Sequence, residues 1–161
     1  IRNVEKILSE DHKVLIFSQF VKNLHLFRDH FAQKNWEYSL LTGGTSEKNR
    51  QMLIDQFKNQ KNNRLFLISL KAGGLGLNLT DADYVFMLDP WWNPAVERQA
   101  INRAHRIGQD KNVFVYKFIT RNTVEEKILT LQKKKSQLAN LFINENNPLK
   151  SLSLKELKDL M

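Results

Sequence analysis

Two arginines and a glutamine share a spacing in this sequence that suits the binding of a polyanion. Gln99, Arg103 and Arg106 lie in the run QAINRAHRIGQ at residues 99–109. In a helix with about 100° per residue, both arginines project within roughly 40° of Gln99, and small apolar residues fill the opposite side. Two guanidinium groups on one face predict a phosphate-binding role. The alternative is an ordinary charged helix face that meets water.

The residues around this run predict where its helix begins and ends. Asn93 suits the N-cap and Pro94 the first helical position. Gly108 suits the C-terminal stop. We therefore predict a single helix that begins at Pro94, ends near Gly108 and holds all three polar side chains.

The glycines are concentrated where predicted strands end. All six fall in three places: Gly43 and Gly44, then Gly73, Gly74 and Gly76, and finally Gly108. Glycine lets backbone N–H groups approach phosphate without a Cβ in the way, and the carboxyl edge of an open α/β sheet is where ligands bind. The run KAGGLGLN at residues 71–78 is longer than a turn needs, which predicts a ligand-facing loop. A tight turn is the simpler explanation for Gly43 and Gly44.

The sequence lacks the motifs with which a domain binds and hydrolyses a nucleotide by itself. No Gly-x4-Gly-Lys run followed by Ser or Thr occurs in it. No Asp-Glu pair follows an apolar strand as a metal-holding motif would. The isolated chain is therefore expected to be catalytically inactive.

Composition limits the class of protein. The 161 residues have 42% hydrophobic content, enough for one domain with a real core. A formal net charge of +8 and a pI of about 9.7 favour contact with nucleic acid or another acidic surface, and a basic solvated surface is the simpler alternative. The sequence has no cysteine, no apolar stretch long enough to span a membrane and no signal-peptide pattern. We expect an intracellular, non-secreted protein without membrane contact; the first residue, Ile1, suggests a piece of a longer chain.

Short apolar runs alternate with amphipathic stretches along the chain. Continuous apolar runs predict strands buried on both faces, as in a parallel sheet: residues 14–17, 38–41, 65–70, 84–88 and 113–119. Helical periodicity lies between them, and Ser46 suits an N-cap. The predicted order is β-α-β-α-β-β-α-β-α. The fold class is therefore α/β, a parallel sheet flanked by helices.

The C-terminal part of the chain predicts a long helix. Thr123 and Glu126 have the spacing of a capping box, and apolar positions on one side follow them. Farther along, Ser153 suits the N-cap of a short tail helix. We therefore predict a sheet domain over residues 1–122, with the helix and tail of residues 123–161 packing on it.

Five segments of the chain match, in order, the motifs of a known family. They are VLIFSQF at residues 14–20, LTGGTS at 41–46, SLKAGGLGLNLT at 69–80, DPWWNP at 89–94 and RAHRIGQ at 103–109. They resemble the motifs of the C-terminal RecA-like lobe of Swi/Snf-type ATPases, which are DNA translocases of helicase superfamily two. The resemblance covers roughly residues 10–145. Asn102 departs from it, since many relatives carry Asp there. The resemblance implies a RecA-like fold in which the long helix acts as a C-terminal brace.

For the nucleotide, the resemblance implies a site shared between two lobes. Arg103 and Arg106 match arginine fingers that reach the γ-phosphate of ATP held on the opposite lobe, where they neutralise developing charge. Gln99 would help to position the phosphates or the attacking water. Gly76 and Asn78 match positions that face the nucleotide. ATP with Mg²⁺ would be held mainly by an N-terminal RecA-like lobe of the same parent chain, and this chain would complete a DNA-stimulated ATPase.

For DNA, the resemblance implies contacts from the other side of the same loops. The positions that match contacts to the phosphate backbone of double-stranded DNA are Gln19, Thr45, Arg50, Ser69, Lys71 and Gly73. Such contacts carry little base information and weaken as salt rises. Trp92 matches the aromatic residue at the DNA groove, whereas Trp91 is expected to anchor the loop in the core.

Together these features predict the C-terminal motor lobe of an ATP-dependent double-stranded DNA translocase or remodeller. One alternative is a non-catalytic DNA-binding module derived from such a lobe. A strand-separating helicase would need a wedge inserted in this lobe, and the short loops leave no room for one. A sugar-nucleotide transferase could share the layered fold, but the ordered motifs make it remote.

Overall fold

Five parallel strands form the sheet at the centre of the fold. The computed structural model describes residues 1–73, 76–105 and 112–143. The strands are β1 (Val14–Ser18), β2 (Tyr38–Leu41), β3 (Leu65–Ser69), β4 (Tyr84–Met87) and β5 (Phe114–Lys117). They lie in the order β2-β3-β1-β4-β5, and each neighbouring pair is parallel. The predicted α/β class with a parallel sheet is confirmed.

Helices cover both faces of this sheet. They are α1 (Arg2–Ser9), α2 (Val21–Gln33), α3 (Glu47–Asn59), the short α4 (Leu70–Gly73), α5 (Pro94–Ile101) and α6 (Val124–Ile143). One core cluster contains residues of α1 and α2 with one face of the strands, and a second contains residues of α3 and α5 with the other face. No helix in the described part is both long and apolar enough to cross a membrane.

The chain divides into two compact units, Ile1–Thr120 and Arg121–Met161. Within the described part of the second unit, Thr123 caps the start of α6 as predicted, and Glu126 reaches back to the residue before the cap. The Thr123 hydroxyl accepts a hydrogen bond from the Glu125 N–H at 3.2 Å, and the Glu126 carboxylate accepts one from the Asn122 N–H at 3.0 Å. The tail helix predicted to begin at Ser153 lies outside the described residues.

Two helices were not predicted, α1 and α4. The sequence has no glycine after α1, but Asp11 takes the left-handed conformation there with φ 64°. The His12 N–H then bonds to the Ile7 carbonyl at 3.2 Å, which closes a Schellman motif. α4 is a single turn of four residues inside the glycine-containing segment, too short to show a helical period.

Burial of the strands follows the prediction in the centre of the sheet and departs from it at both edges. In β2, buried residues alternate with partly exposed ones. All residues of β1 and β3 are buried, as the continuous apolar runs predicted. The four residues of β5 are exposed, so the expectation of burial on both faces is wrong there. Its position contributes, because in the described part of the chain β5 lies at the edge of the sheet with β4 as its neighbour.

The left-handed residue after α2 provides a test of the fold. Asn35 has φ 55°, and the Trp36 N–H bonds to the Phe31 carbonyl at 2.9 Å. We expect Asn35→Ala to lower the free energy of unfolding by about 1 kcal/mol, because alanine adopts this conformation at a steric cost. Asn35→Gly should leave stability within about 0.5 kcal/mol of the wild type.

Urea unfolding followed by circular dichroism measures both changes. Asn59→Ala, at the last residue of α3, is the matched control and should not destabilise the chain. Equal stability of Asn35→Ala and Asn35→Gly would show that the helix end does not depend on this conformation.

Candidate nucleotide and DNA interface

Parallel pairing brings the loops that follow the strands to one edge of the sheet. Gln19 follows β1, Thr45 lies in the loop after β2, Lys71 follows β3, and Trp92 lies in the loop after β4. Each of these loops leaves a carboxyl end, and the carboxyl ends of parallel strands share an edge. The predicted site residues on four separate motifs are thereby collected at one edge.

A buried carboxylate joins the ends of β1 and β4 at this edge. Asp89 is 2% exposed. Its Oδ1 accepts a hydrogen bond from the Ser18 hydroxyl at 2.5 Å, and its Oδ2 accepts one from the Gln19 N–H at 2.8 Å. The Gln19 side chain in turn donates from Nε2 to the Pro90 carbonyl at 3.1 Å. The loops carrying Gln19 and Trp92 are therefore held against each other.

Sequence reasoning did not assign Asp89 a role. One signal was available: Asp89 directly follows the predicted apolar run of residues 84–88. A second was Ser18, a hydroxyl residue at the end of the buried strand β1. Buried carboxylates need hydrogen-bond donors, and strand ends with free backbone N–H groups supply them.

The two tryptophans of the loop after β4 point to different environments. Trp91 is partly buried and packs against the core cluster that contains residues of α3 and α5, which confirms its predicted role as an anchor. Trp92 is 56% exposed. α5 begins directly after this loop, where Asn93 accepts a hydrogen bond from the Ala95 N–H at 3.0 Å and Pro94 occupies the first turn, as predicted. An anchored loop thus presents one exposed indole at the carboxyl edge.

The segment after β3 combines a helical turn with an extended stretch. β3 ends at Ser69 rather than at the predicted Leu70, and the Ser69 hydroxyl accepts a hydrogen bond from the Ala72 N–H at 3.3 Å inside α4. Ser69 is 3% exposed, whereas Lys71 is exposed and Gly73 ends α4. The hydroxyl of Ser69 therefore has a structural role as a cap, and its predicted contact with DNA stays a prediction.

The extended stretch alternates between core and solvent. Leu77 and Leu79 are buried, while Gly76 and Asn78 are exposed. Gly76 has φ 72°, and a Cβ built on it would meet no atom within 4 Å. A side chain there would have space but an unfavourable backbone conformation. The two positions predicted to face a nucleotide are thus the two that this stretch turns outward.

The arginine segment follows α5 but does not continue it. α5 ends at Ile101, and the N–H groups of Arg103 and Ala104 bond to the carbonyls three residues before them. The Arg103 carbonyl accepts a hydrogen bond from the Leu79 N–H at 3.0 Å, although a continuing helix would use that carbonyl for its own next turn. The prediction of one helix running to Gly108 is therefore wrong.

This correction changes how the three polar residues are held. Gln99 is exposed on α5, and Arg103 is partly buried in the tight turn after it. Arg106 and Gly108 lie outside the described residues. The bond between Leu79 and Arg103 fixes the arginine segment beside the stretch that carries Gly76 and Asn78. Three of the residues predicted for the nucleotide therefore belong to one hydrogen-bonded neighbourhood.

The remaining predicted DNA contacts lie near the loop after β2. Thr45 closes this turn, since its hydroxyl accepts a hydrogen bond from the Thr42 N–H at 3.1 Å. Gly43 and Gly44 have open space where a Cβ would lie. Arg50 is partly buried in the second turn of α3, which Ser46 caps through the Asn49 N–H, as predicted. Contacts of Thr45 and Arg50 with DNA stay predictions.

The fold and this edge together define a RecA-like lobe of the helicase type. The model of the family described as "Helicase conserved C-terminal domain" matches residues 1–108, and the chain belongs to that family. The chain is 47% identical over 148 residues to an uncharacterized ATP-dependent helicase of Schizosaccharomyces pombe, with 92% of this chain and 14% of that protein covered. It is 40% identical over 163 residues to the DNA repair protein RAD5 of Cryptococcus neoformans, with 99% of this chain and 14% of that protein covered.

A solved structure agrees with these relatives. The crystal structure of the C-terminal part of the Fun30 ATPase domain superposes with a TM-score of 0.75 at 39% identity, covering 81% of this chain and 44% of that one. The chain is thus a C-terminal RecA-like lobe of the Swi/Snf type, as the motifs predicted. It spans about 14% of the length of each of the two relatives described above.

Asp89 provides a test of how this edge is built. Asp89→Ala leaves the Gln19 N–H without its acceptor and removes the shorter of the two hydrogen bonds open to the Ser18 hydroxyl, so we expect it to lower the free energy of unfolding by about 2 kcal/mol. Asp55→Ala removes an exposed hydrogen bond with Gln51 and should change stability by less than about 0.5 kcal/mol. Urea unfolding of both variants checks the difference, and equal effects would refute the role given to Asp89.

Proposed function

We propose that this chain is the C-terminal motor lobe of an ATP-dependent double-stranded DNA translocase. In this proposal it supplies arginine fingers to ATP on an N-terminal lobe of the same polypeptide and grips the DNA backbone with its carboxyl-edge loops. The relatives' names support an ATPase that acts on DNA, since they include a DNA repair protein and a CHD3-type chromatin-remodeling factor. Such a protein works inside the cell, where DNA is held.

The hydrogen bond between Leu79 and Arg103 is the observation that carries this proposal. It joins the backbone of Arg103 to the stretch that carries Gly76 and Asn78, which supports a shared site for the segments that bear a guanidinium, an amide and a glycine backbone. These groups donate hydrogen bonds or allow close approach of the backbone, which suits phosphate oxygens. A guanidinium aimed at the γ-phosphate stabilises the charge that develops as the phosphoryl bond breaks.

The chemistry of this edge fits the phosphates of ATP better than it fits a metal ion. Among the described residues, no group of three His, Cys, Asp or Glu side chains could hold a metal. The carboxylates of Asp89 and Glu97 at this edge accept hydrogen bonds from the chain's own donors. We therefore assign Mg²⁺, which neutralises phosphate charge when bound, to the N-terminal lobe.

Work on DNA requires that the lobe change its grip as the nucleotide site opens and closes. ATP binding would close the two lobes, and hydrolysis would reopen them. Lys71, Gln19 and Trp92 lie on loops at the carboxyl edge, and α5 runs from the Trp92 loop to the turn with Arg103. Closure at the nucleotide therefore moves the loops proposed to hold DNA. Repeated closure with alternating grip moves the complex along the duplex without separating its strands.

Turnover tests the nucleotide part of the proposal. In the longer polypeptide that carries both lobes, we expect Arg103→Ala and Arg106→Ala each to lower the rate of DNA-stimulated ATP hydrolysis by roughly 10³ to 10⁵, because the finger charge is lost. ATP should still bind. Arg98→Ala, at an exposed arginine of α5, is the matched control and should keep most of the activity.

The 161-residue chain alone should show no ATP hydrolysis with or without duplex DNA. If the longer polypeptide lacks DNA-stimulated turnover but the chain binds duplex, the lobe is a non-catalytic DNA-binding module instead. If the arginine variants keep the wild-type rate, the finger assignment is wrong.

Salt dependence tests the DNA part. Lys71 is exposed at the carboxyl edge, and Lys61 is exposed in the loop that enters β3 from the opposite edge. We expect Lys71→Ala to weaken duplex binding equally for unrelated sequences and to reduce the slope of log K against log salt by about 1. Lys61→Ala should leave that slope unchanged. Fluorescence anisotropy with labelled duplexes gives both values, and identical behaviour of the two variants would exclude a specific contact at Lys71.

A further inference from the structure

Glu97 is a buried carboxylate that binds two groups outside its own helix. It is 1% exposed on α5. Its Oε1 accepts a hydrogen bond from the backbone N–H of Trp91 at 2.7 Å, and its Oε2 forms an ion pair with the ammonium group of Lys117 on β5. One side chain thus joins three elements: the loop after β4, α5 and the edge strand.

Stability alone is a weak reason for a carboxylate at this position. Taking a charge out of water costs several kcal/mol, and a buried ion pair often does no better than apolar side chains of similar volume. Glu97 and Ala100 are the two buried residues of α5, and Ala100 belongs to an apolar cluster. What Glu97 provides that an apolar residue would not is a directed bond to the Trp91 N–H.

That bond fixes the loop from the side of α5. Asp89 already holds the start of the loop through Ser18 and Gln19. Trp92 directly follows the second attachment and precedes Asn93, the N-cap of α5, and it keeps a 56% exposed side chain. A loop held at both ends has little conformational freedom left to lose when its exposed ring contacts a ligand, which favours binding.

α5 also connects this loop to the region proposed for the nucleotide. Glu97 and Gln99 lie on the same eight-residue helix, and the turn with Arg103 follows directly. A short hydrogen-bonded helix moves as one body. A displacement of Gln99 and Arg103 on lobe closure therefore reaches Trp91 through Glu97.

We propose that Glu97 is a positioning residue that orients Trp92 for DNA and links its loop to the nucleotide side through α5. This inference rests on the proposed function, because it takes Trp92 as a contact to DNA. Lys117 acts in it as the counter-ion of Glu97.

The test measures duplex binding by the full 161-residue chain, using fluorescence anisotropy of a short labelled duplex without nucleotide. The variants are Trp92→Ala, Glu97→Leu, Glu97→Gln and the double variant Trp92→Ala with Glu97→Leu. Loss of an aromatic contact to DNA corresponds to about a tenfold weakening. We expect Trp92→Ala and Glu97→Leu each to weaken binding by about that factor, and the double variant to bind no more weakly than Trp92→Ala.

The sign of the effect separates positioning from simple electrostatics. Removing a negative charge near DNA by itself strengthens binding. A weaker complex with Glu97→Leu therefore opposes the charge effect. Glu97→Gln keeps an oxygen that accepts from the Trp91 N–H, so it should retain most of the affinity and rescue the loss seen with leucine. Thermal unfolding of each variant identifies any loss caused by misfolding. If Glu97→Leu does not fold, Glu97→Ala takes its place in every comparison.

The outcomes separate this inference from the proposed function. If Trp92→Ala weakens binding and both Glu97 variants bind like the wild type or more tightly, the inference is wrong and the proposed function stands. If the effects of Trp92→Ala and Glu97→Leu add, Glu97 does not act through Trp92 and the inference is again wrong. If the wild-type chain does not bind duplex at all, the proposed DNA contacts fail and the inference fails with them.

Discussion

Parallel strand pairing is the constraint on which the rest of this lobe depends. A parallel neighbour can be reached only by a crossover, so each strand must be followed by a segment that returns to the opposite edge. The return helices α2, α3 and α5 consequently begin at the carboxyl edge, directly after the motif loops. The positive ends of their dipoles lie where phosphates are expected, which adds a sequence-independent attraction to that of the basic side chains. The same geometry excludes these loops from the amino edge.

Two kinds of bond convert a shared edge into a defined site. Buried carboxylates bind backbone N–H groups of neighbouring loops, as Asp89 does with Gln19 and Glu97 with Trp91. Backbone groups also bond directly between motifs, as Leu79 does with Arg103. Both kinds leave the exposed side chains at this edge available for a ligand while their backbone is fixed. In such an arrangement, one set of groups fixes the loops and another set contacts the ligand. Because the loops are already ordered, the entropic cost of binding is lower.

Short sequence patterns correctly predicted the features that depend on neighbouring residues, such as strand burial in the centre of the sheet and the N-caps of helices. The apolar runs of β1 and β3 are buried as expected, and the N-caps Ser46, Asn93 and Thr123 stand where their residue types indicated. The errors arose where distant residues decide the outcome. α5 ends earlier than predicted, and the Arg103 carbonyl that follows it accepts a hydrogen bond from the Leu79 N–H. Asp89 binds Ser18, which lies 71 residues away in the sequence. The end of α1 was missed because Asp11 takes a conformation usually given to glycine. The sequence identified the motif residues as candidates. It gave no role to Asp89 and Glu97, the carboxylates that hold the motif loops.

The exposed edge strand has a practical consequence for handling the lobe by itself. β5 pairs with β4 on one side and carries the exposed apolar residues Phe114, Val115 and Tyr116. Lysine on an edge strand usually discourages pairing with a foreign strand, but the charge of Lys117 is directed to Glu97. Among the described strands the outer side of β5 has no partner, and an apolar edge whose lysine is paired with a buried carboxylate favours self-association. Low protein concentration, or an added charge on the outer side of β5, therefore favours a monodisperse preparation of this domain.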